Sequence, residues 1–315
     1  FGGVVQPGEA VRIMTGAPLP AGADAVVPAE YARETAHGME TSMAFGPGKH
    51  VGRQGEALTR GAAVLDAGRR LRPQDLGVIA SLGIAAVEVI REPRVRIVAT
   101  GGEVVAPGAD KGAYQIYDAN SAMLFALVAR DGGVFESHLR TGDDAALVRE
   151  AITAPGADVV LISGGSSVGA EDHAPRLLVE AGELAVHGVA MRPSSPAGFG
   201  RVGSTLVFLL PGNPVSCLCS YDFFAGRGLR LLGGRPAQWP YPLVQAIVGR
   251  KIVSAIGRVD YVRVRLRDGE VEPLALSGAS VLSSTIRADG FVVVLAESEG
   301  CAPGSSVEVH LYDPA

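Results

Sequence analysis

Three apolar runs that each end in a glycine-rich loop constrain the fold of this chain most strongly. The runs occupy residues 95–100, 158–162 and 206–210. The second run is continuous and rich in β-branched residues, which is typical of a strand buried on both faces of a parallel sheet. Helical patterns follow at 120–129, at 143–152 and from Val215 onward. Strand, loop and helix therefore recur in order, and they predict a doubly wound α/β domain over residues 94–235.

The beginning of the chain has a different pattern. Residues 1–46 are rich in Gly and Pro and carry short β-like runs at 11–14 and 24–27. We therefore expect a β-rich domain there, with turns between its short strands. The chain opens at Phe1 without an initiator Met, in sequence typical of the middle of a domain. We expect a further segment upstream.

A linker and helical domain is predicted over residues 47–93. Its helix begins at Pro73, because proline suits the first helical turn, and Gly83 ends it. A strand-like alternation follows at 86–90, and Pro93 marks the boundary to the α/β domain.

The last part of the chain, 236–315, returns to short strand patterns. They lie at 262–266, 271–276, 291–295 and 307–311. Glycine-containing turns such as Asp268-Gly269 join them, which predicts a small all-β domain, a sandwich or an open barrel. The fold class predicted for the whole chain is α/β plus β and multidomain, with a doubly wound domain flanked by small β-rich domains.

Composition excludes several classes of protein. With 28 basic and 33 acidic residues among 315, the net charge is −5 and no Lys/Arg-rich run occurs, which argues against a nucleic-acid surface. The longest apolar run, 206–210, is far shorter than the roughly 18 residues that a membrane span needs. No signal peptide is visible. Cys217, Cys219 and Cys301 lack disulfide or zinc spacing, and the first two are predicted in the core. We expect a cytoplasmic protein.

The glycine-rich loops are the candidate binding site. They are TGGE at 100–103, SGGSSVG at 163–169 and LPGNPVS at 210–216. In doubly wound sheets, ligands bind outside the carboxyl ends of the strands, where each of these loops begins. Backbone N–H groups without side chains in front of them favour a phosphate or another oxygen-rich ligand. Any single loop could be a plain turn, but three at one sheet edge predict a site. Neither the P-loop nor the dinucleotide fingerprint is present.

Acidic residues accompany these loops. Asp172 follows the second loop, Glu103 ends the first, and Asp118 and Asn120 precede a helix. Carboxylates beside a phosphate favour a bridging Mg²⁺, which predicts phosphoryl or nucleotidyl chemistry. The alternatives are a helix cap for Asp118 or Asn120 and a solvated position for Glu103. His173, beside Asp172, is predicted to be structural or exposed to solvent.

These motifs resemble those of the molybdopterin molybdenumtransferases, the MoeA and gephyrin E-domain family. The loop at 163–169 with Asp172 is similar to that family's SGGVSVGxxD, and LPGNPVS matches without change. TGGE is similar to TGDEL, and IYDAN at 116–120 is similar to IYDSN. Further similarities lie at 12–17, 22–27, 257–263 and 280–284. The resemblance therefore covers essentially the whole chain in order.

The resemblance implies a cytoplasmic homodimer that completes molybdenum cofactor synthesis. Members of the family bind adenylylated molybdopterin, hydrolyse the adenylate with Mg²⁺ and insert molybdate at the dithiolene with release of AMP. Each active site would be shared between the α/β domain of one subunit and β-domains of the other. Molybdopterin adenylyltransferase and a molybdoenzyme would be its partners, and neither nucleic acid nor a membrane would be bound. The sequence does not distinguish molybdenum from tungsten.

The resemblance also implies roles for individual residues. Asp172 and Glu103 would hold the metal and act in adenylate cleavage, with Thr15 as a third catalytic residue. The molybdopterin-binding residues would be Thr100, Gly101, Asp118, Asn120, Ser163, Gly164, Gly165, Ser167, Gly169, Pro211, Gly212, Asn213, Pro214 and Ser216. The molybdate-binding residues would be Arg192, Ser195, Arg263 and Ser280.

Four departures from the family pattern bear on activity. The family's KPGKP is RPSSP at 192–196, so that Ser195 replaces a lysine and one cation is lost at the oxyanion site. Ala57 stands where the GED motif has its aspartate, and Pro175 stands where a lysine is common. The DGYA motif does not occur after Phe1.

Three other functions remain open from the sequence. A non-catalytic molybdopterin-binding or carrier relative would keep the pocket without turnover. A molybdopterin adenylyltransferase would resemble residues 94–235 alone. A scaffold protein, as in the gephyrin relatives, would bind partners irrespective of ligand.

Overall fold

The computed structural model describes residues 1–165, 173–274 and 282–313. Two compact units make up the chain, Phe1–Leu76 and Gly77–Ala315. The first unit contains one hairpin, in which β1 (Ala32–Thr35) pairs antiparallel with β2 (Gly38–Thr41) after a 3₁₀ turn at Ala29–Tyr31. It also contains the start of α1 (Pro73–Ser81), the helix predicted from Pro73.

Buried Asp75 fixes the start of α1. Its carboxylate accepts hydrogen bonds from the Arg72 backbone N–H and from the guanidinium groups of Arg69 and Arg72. A carboxylate in the first turn of a helix also suits the positive end of the helix dipole. The unit boundary after Leu76 falls inside this helix.

Three predicted strand-like runs are not strands. Residues 11–14, 24–27 and 86–90 belong to no ladder. In the first two runs, backbone groups close loops instead, as in Ala17 N–H to Met14 O and Val26 N–H to Lys49 O. Apolar alternation makes a strand only where a partner strand supplies hydrogen bonds, and no described residue does so here.

The second unit begins with the α/β domain. Its elements in chain order are β3 (Arg94–Thr100), β4 (Val104–Val105), β5 (Ile116–Tyr117), α2 (Ala119–Asp131), β6 (Val134–Gly142), α3 (Ala145–Thr153), β7 (Val159–Ser163), α4 (Ala174–Ala181), β8 (Glu183–His187), β9 (Met191–Arg192), β10 (Gly198–Val202), β11 (Thr205–Leu210), α5 (Pro214–Ser220) and α6 (Gly226–Leu232). A π-helical turn at Tyr221–Ala225 joins the last two helices.

Six of these strands form one sheet in the order β6-β3-β7-β11-β10-β8. The first four are parallel, and β10 and β8 add an antiparallel edge. The strands predicted at 95–100, 158–162 and 206–210 are present as β3, β7 and β11, and the predicted helices are α2, α3 and α5. Because β3, β7 and β11 run in the same direction, the three glycine-rich loops begin at one edge of the sheet.

Helices cover both faces of this sheet, which explains its continuous apolar strands. Val159 and Leu161 of β7 pack in one core with α2 and α5, whereas Val160 and Ile162 pack in the other with α3 and α4. The alternating side chains of one strand therefore enter two cores, and both sets must be apolar. This is the predicted doubly wound arrangement.

The C-terminal part forms a closed ring of strands. Its elements are β12 (Leu243–Val248), β13 (Ile252–Val253), β14 (Val259–Arg267), β15 (Glu270–Pro273), α7 (Ser283–Ile286), β16 (Gly290–Val294), β17 (Gly300–Cys301) and β18 (Ser306–Leu311). Pairing runs β14-β16-β18-β12-β15 and returns to β14. Valines of these strands fill the interior. The predicted turn at Asp268-Gly269 has φ of 49° and 81°, which suits a two-residue hairpin.

The fold class predicted from the sequence is confirmed: an α/β domain stands beside β-rich parts of the chain. Within the described residues, no helix has the length and apolar character needed to cross a bilayer.

Candidate active site at the edge of the parallel sheet

The glycine-rich loops after β3, β7 and β11 lie directly against one another. A Cβ on Gly164 would lie 2.6 Å from Thr100 Oγ1, and a Cβ on Gly212 would lie 3.5 Å from Gly164 Cα. Gly164 also has a φ of 94°, which side chains rarely adopt. Its N–H donates to Leu210 O at 3.0 Å. Only glycine at 164 allows the three loops to approach this closely.

Asn120 ties two of these loops together from the start of α2. Its Nδ2 donates to Ser163 Oγ and to Gly212 O, both at 2.8 Å. Its Oδ1 is buried and makes no hydrogen bond with any described residue. Buried polar atoms are normally satisfied, so an acceptor left open here suits a ligand that carries a donor.

Asp118 is the N-cap of α2. Its Oδ1 accepts from the Ser121 N–H at 2.9 Å, which is one of the two roles left open by the sequence. Its Oδ2 lies 3.3 Å from His138 Nε2 and 3.6 Å from Arg140 Nη1. Burial lowers the pKa of His138, Asp118 works against that, and Arg140 lowers it further. The cap fixes the helix end that carries Asn120, and a ligand role for Asp118 stays a prediction.

Two carboxylates lie against the first glycine-rich loop. Glu103 folds back so that its oxygens lie 2.7 and 2.9 Å from where a Cβ on Gly101 would be. Asp143 Oδ2 accepts from the Gly102 N–H at 3.0 Å. The sequence analysis missed Asp143, because 143 was assigned only to a helix. Its position directly after the parallel strand β6 was the available signal.

The predicted molybdate-binding residues lie on the segment around β9 and on β14. β9 does not join the α/β sheet but pairs parallel with β14 of the barrel, with Arg192 opposite Asp260. Arg192 Nη2 donates to Asp260 Oδ2 at 2.7 Å, and Arg258 Nε donates to Asp260 Oδ1 at 2.9 Å. Arg263 is buried within β14, and Ser195 is exposed. The charge of Arg192 is thus partly neutralised by a buried carboxylate.

The third loop leads into α5. Pro211 is buried, Asn213 is the N-cap and makes no capping hydrogen bond through its side chain, and Pro214 occupies the first turn. Buried Ser216, one turn further on, accepts from Ser194 Oγ at its backbone oxygen. This hydrogen bond joins the β9 segment to the helix that follows the third loop.

The cysteines near the site are core residues, as predicted for Cys217 and Cys219. Burial raises the pKa of the Cys217 thiol to about 12, and a contact with Ser163 offsets this only in part. Burial also raises the pKa of Cys219. Thiols in this state are poor nucleophiles.

Comparisons with known proteins agree along the whole chain. Family models match in order: "MoeA N-terminal region (domain I and II)" at residues 1–83, "Probable molybdopterin binding domain" at 96–230 and "MoeA C-terminal region (domain IV)" at 245–312. Molybdopterin molybdenumtransferase of Haemophilus influenzae is 31% identical over 97% of this chain and 78% of its own length. The chain belongs to the MoeA family. The family prediction is confirmed.

Two further proteins are similar to this chain over most of its length. Molybdopterin molybdenumtransferase 2 of Mycobacterium tuberculosis is 38% identical over 83% of this chain and 66% of its own length. The crystal structure of a molybdopterin biosynthesis MoeA protein from Pyrococcus horikoshii is 31% identical, with a TM-score of 0.80 over 99% of this chain and 78% of that one. The prediction of an enzyme is confirmed by these relatives. An adenylyltransferase resembling 94–235 alone does not account for the flanking MoeA matches.

Ser167, Gly169, Asp172 and Ser280 lie outside the described residues. Thr15 and Ala57 belong to the unit Phe1–Leu76. Pro175 lies buried in the first turn of α4, where a proline is well tolerated. His173 is the half-exposed N-cap of that helix and makes no capping hydrogen bond through its side chain.

Proposed function

We propose that this protein is a working molybdopterin molybdenumtransferase. It binds adenylylated molybdopterin, cleaves the adenylate with Mg²⁺ and inserts molybdate, and AMP is released. The observation that carries the proposal is the junction of the glycine-rich loops through Asn120, in a chain whose relatives are named for this activity. The hydrogen bonds of this junction are made by Asn120, Ser163 and Gly212, none of which departs from the family pattern.

The loop junction suits the phosphate and pterin of the substrate. Gly165 and Gly212 carry no side chains, so phosphate oxygens can approach their backbone N–H groups. The open acceptor Oδ1 of Asn120 suits an N–H donor of the heterocycle. The residues predicted above for molybdopterin are proposed to line this junction.

The residues at the first loop fit a hard cation. Glu103 and Asp143 offer carboxylate oxygens, the ligand type that Mg²⁺ prefers. Within the described part of the chain, no three His, Cys, Asp or Glu residues form a complete metal cluster. We propose that Glu103 and Asp172 hold Mg²⁺ together with the substrate phosphate, and that Asp143 offers a further carboxylate at the first loop. When bound, Mg²⁺ supplies charge that offsets the phosphate during P–O cleavage.

Arginine and serine side chains are proposed to hold the molybdate. A guanidinium has five N–H donors in a fixed plane, so Arg192 can bind Asp260 and still present donors to an oxyanion. Arg263, Ser195 and Ser280 would complete this group. The protein's part in the reaction is to bind both substrates in register and to exclude competing geometries.

The cellular setting follows the family. We place the enzyme in the cytoplasm as a homodimer, with molybdopterin adenylyltransferase and a molybdoenzyme as partners. Light scattering at micromolar concentration is expected to give twice the mass of one chain. The mass of a single chain under these conditions would refute the dimer.

Release of AMP tests the function directly. The purified protein, incubated with adenylylated molybdopterin, Mg²⁺ and molybdate, is expected to release AMP, and removal of Mg²⁺ with EDTA or omission of molybdate is expected to stop it. Tight binding of the substrate without AMP release would identify a non-catalytic relative. No binding would refute the assignment of the loops.

Glu103→Gln is expected to raise the Mg²⁺ concentration for half-maximal AMP release about tenfold, equivalent to about 1.4 kcal/mol. The reason is that the substitution removes one carboxylate charge from the proposed Mg²⁺ ligands, while the side chain keeps its size. Glu150→Gln, at an exposed position of α3, is the matched control and is expected to leave the Mg²⁺ dependence unchanged. An unchanged Mg²⁺ dependence in Glu103→Gln would remove Glu103 from the metal site.

A further inference from the structure

The segment between β8 and β10 connects the two domains of the second unit. Backbone hydrogen bonds from Gly188 to Ala197 and from Val189 to Ser195, both 2.9 Å, close its stem on the α/β side. Its middle, β9, pairs parallel with β14 of the barrel. The α/β domain therefore holds both ends of the segment and the barrel holds its middle, where Arg192 lies; Ser195 lies at the stem.

Ser194 has an unusual backbone conformation on this segment. Its φ is 100°, in a region that favours glycine, and its side chain is buried. The related family motif KPGKP has its glycine at this position. A non-glycine residue persists in such a conformation only where its surroundings hold it there, and such residues cluster at functional sites.

A buried hydrogen bond holds Ser194 in place. Ser194 Oγ donates to Ser216 O at 2.7 Å, and Ser194 O accepts from the Ala197 N–H at 3.0 Å. Ser216 is the last residue of the third glycine-rich motif and lies in the first turn of α5. The hydroxyl thus connects the β9 segment to the loop that is proposed to bind the phosphate.

We propose that Ser194 is a positioning residue of the oxyanion site: its hydroxyl latches residues 192–196 onto α5 and so fixes Arg192 relative to the third glycine-rich loop. This inference rests on the proposed function for the assignment of Arg192 to molybdate. Arg192 is fixed from its other side by the buried carboxylate of Asp260. Two anchors, one in each domain, then define where the guanidinium lies.

Two substitutions separate the latch from the backbone strain. Ser194→Ala removes the hydroxyl but keeps the Cβ and its unfavourable φ. Ser194→Gly removes the hydroxyl and relieves the φ. If the latch positions Arg192, the Arg192 guanidinium is no longer held at the oxyanion site in either variant. Only Ser194→Ala keeps the strained backbone. Ser204→Ala, in the exposed turn between β10 and β11, is the control.

Three measurements on the whole protein test the latch. They are the dissociation constant for inorganic molybdate by calorimetry, the thermal midpoint, and hydrogen exchange of amides 189–197. Both Ser194 variants are expected to bind molybdate about tenfold more weakly and to exchange these amides faster, because each variant loses one buried hydrogen bond. Ser194→Gly is expected to melt above Ser194→Ala. Ser204→Ala is expected to match the wild type in all three.

Other outcomes overturn the proposal. Wild-type molybdate affinity in either variant would refute the latch. Wild-type affinity and wild-type hydrogen exchange in Ser194→Gly would also refute it, because backbone strain alone would then explain the weaker binding of Ser194→Ala. A wild type that fails to bind molybdate would refute the oxyanion assignment and the latch with it. A wild type that binds molybdate with the expected variant effects but releases no AMP would refute the proposed function only.

Discussion

Replacing Asn120 with alanine is expected to lower kcat/KM for molybdate-dependent AMP release about 100-fold, because displacement of reacting groups by about 1 Å can have this effect. The Asn120 amide is the side chain that joins Ser163 after β7 to Gly212 after β11. Its removal leaves Gly212 O and Ser163 Oγ without that donor and frees the two loops to separate. The free energy of unfolding is expected to fall by about 1–3 kcal/mol, the usual effect of an unpaired buried group.

Two further variants make the Asn120 prediction specific. Asn120→Asp keeps the side-chain size but loses both N–H donors, and it is expected to share the loss of activity. Ser121→Ala is the matched control, because Ser121 is the buried neighbour on α2 and its Oγ makes no hydrogen bond with any described residue. Its kcat/KM is expected to stay within about twofold of the wild type, as for changes that remove no partner. Activity of Asn120→Ala within threefold of the wild type would contradict the role of the junction.

The central strands could be predicted from the sequence because both of their faces are buried. Residues 95–100, 158–162 and 206–210 are apolar except for Arg96, Thr100 and Asp158, and each contains a strand of the parallel sheet. The antiparallel edge strand β8 could not be predicted in this way. Its residues alternate between exposed and half-buried, and its pairing with β10 depends on contacts distant in sequence. Periodicity indicates burial, and only tertiary contacts supply the partner.

The first unit illustrates the same limit. The run at 24–27 is apolar enough for a strand but forms none, whereas the hairpin β1–β2 forms from polar, largely exposed residues. Hairpin formation there depends on the two-residue turn at Ala36-His37 and on Gly38 directly after it, whose φ of 128° lies in the region that favours glycine. Hydrophobic patterning therefore predicted a strand at 24–27 that does not form, and it missed the hairpin β1–β2.

For the candidate site, the sequence predicted the residues better than their contacts. Asn120 was predicted as a ligand, and its two bonds between loops became visible only in the fold. Asp143 was missed because the sequence pattern assigned it to a helix, although it directly follows the parallel strand β6 and contacts the first loop. The conformation of Ser194 has no local signature, since a serine at a φ of 100° is held by a residue 22 positions away.

Asp222→Ala is expected to destabilise the protein by about 3–5 kcal/mol, the usual effect of removing one partner from a buried ion pair. The Asp222 side chain is fully buried in the π-helical turn and accepts from Arg130 Nη2 at 2.8 Å and from the Tyr241 hydroxyl at 2.9 Å. Burial raises the pKa of Asp222, and the attraction of Arg130 works against that rise. Without the carboxylate, the half-buried Arg130 keeps only Asp131 as an anionic partner among the described residues.

The position of this network determines what should unfold. Tyr241 lies just before β12, and Trp239 Nε1 donates to Asp222 O at 2.7 Å, so the chain leading into the barrel is tied to the α/β domain here. Asp222→Ala is expected to lower the thermal midpoint by about 10 °C and to split the transition, because the chain leading into the barrel loses the Tyr241 link, although the Trp239 bond to the backbone and the β9–β14 pairing remain. Scanning calorimetry measures both effects.

Matched variants distinguish the network from a general loss of charge. Asp222→Asn keeps an acceptor for Tyr241 and should lose only about 1–3 kcal/mol, as for a weakened buried hydrogen bond. Glu183→Ala breaks the exposed pair with Arg201 and should change the free energy of unfolding by less than about 1 kcal/mol. A single transition at the wild-type midpoint in Asp222→Ala would mean that the link to the barrel is carried by β9 and the packing of Trp239 instead. The position of Arg192, which is held by Asp260 in the barrel and through Ser194 by α5, would then depend on the packing of Trp239 as well.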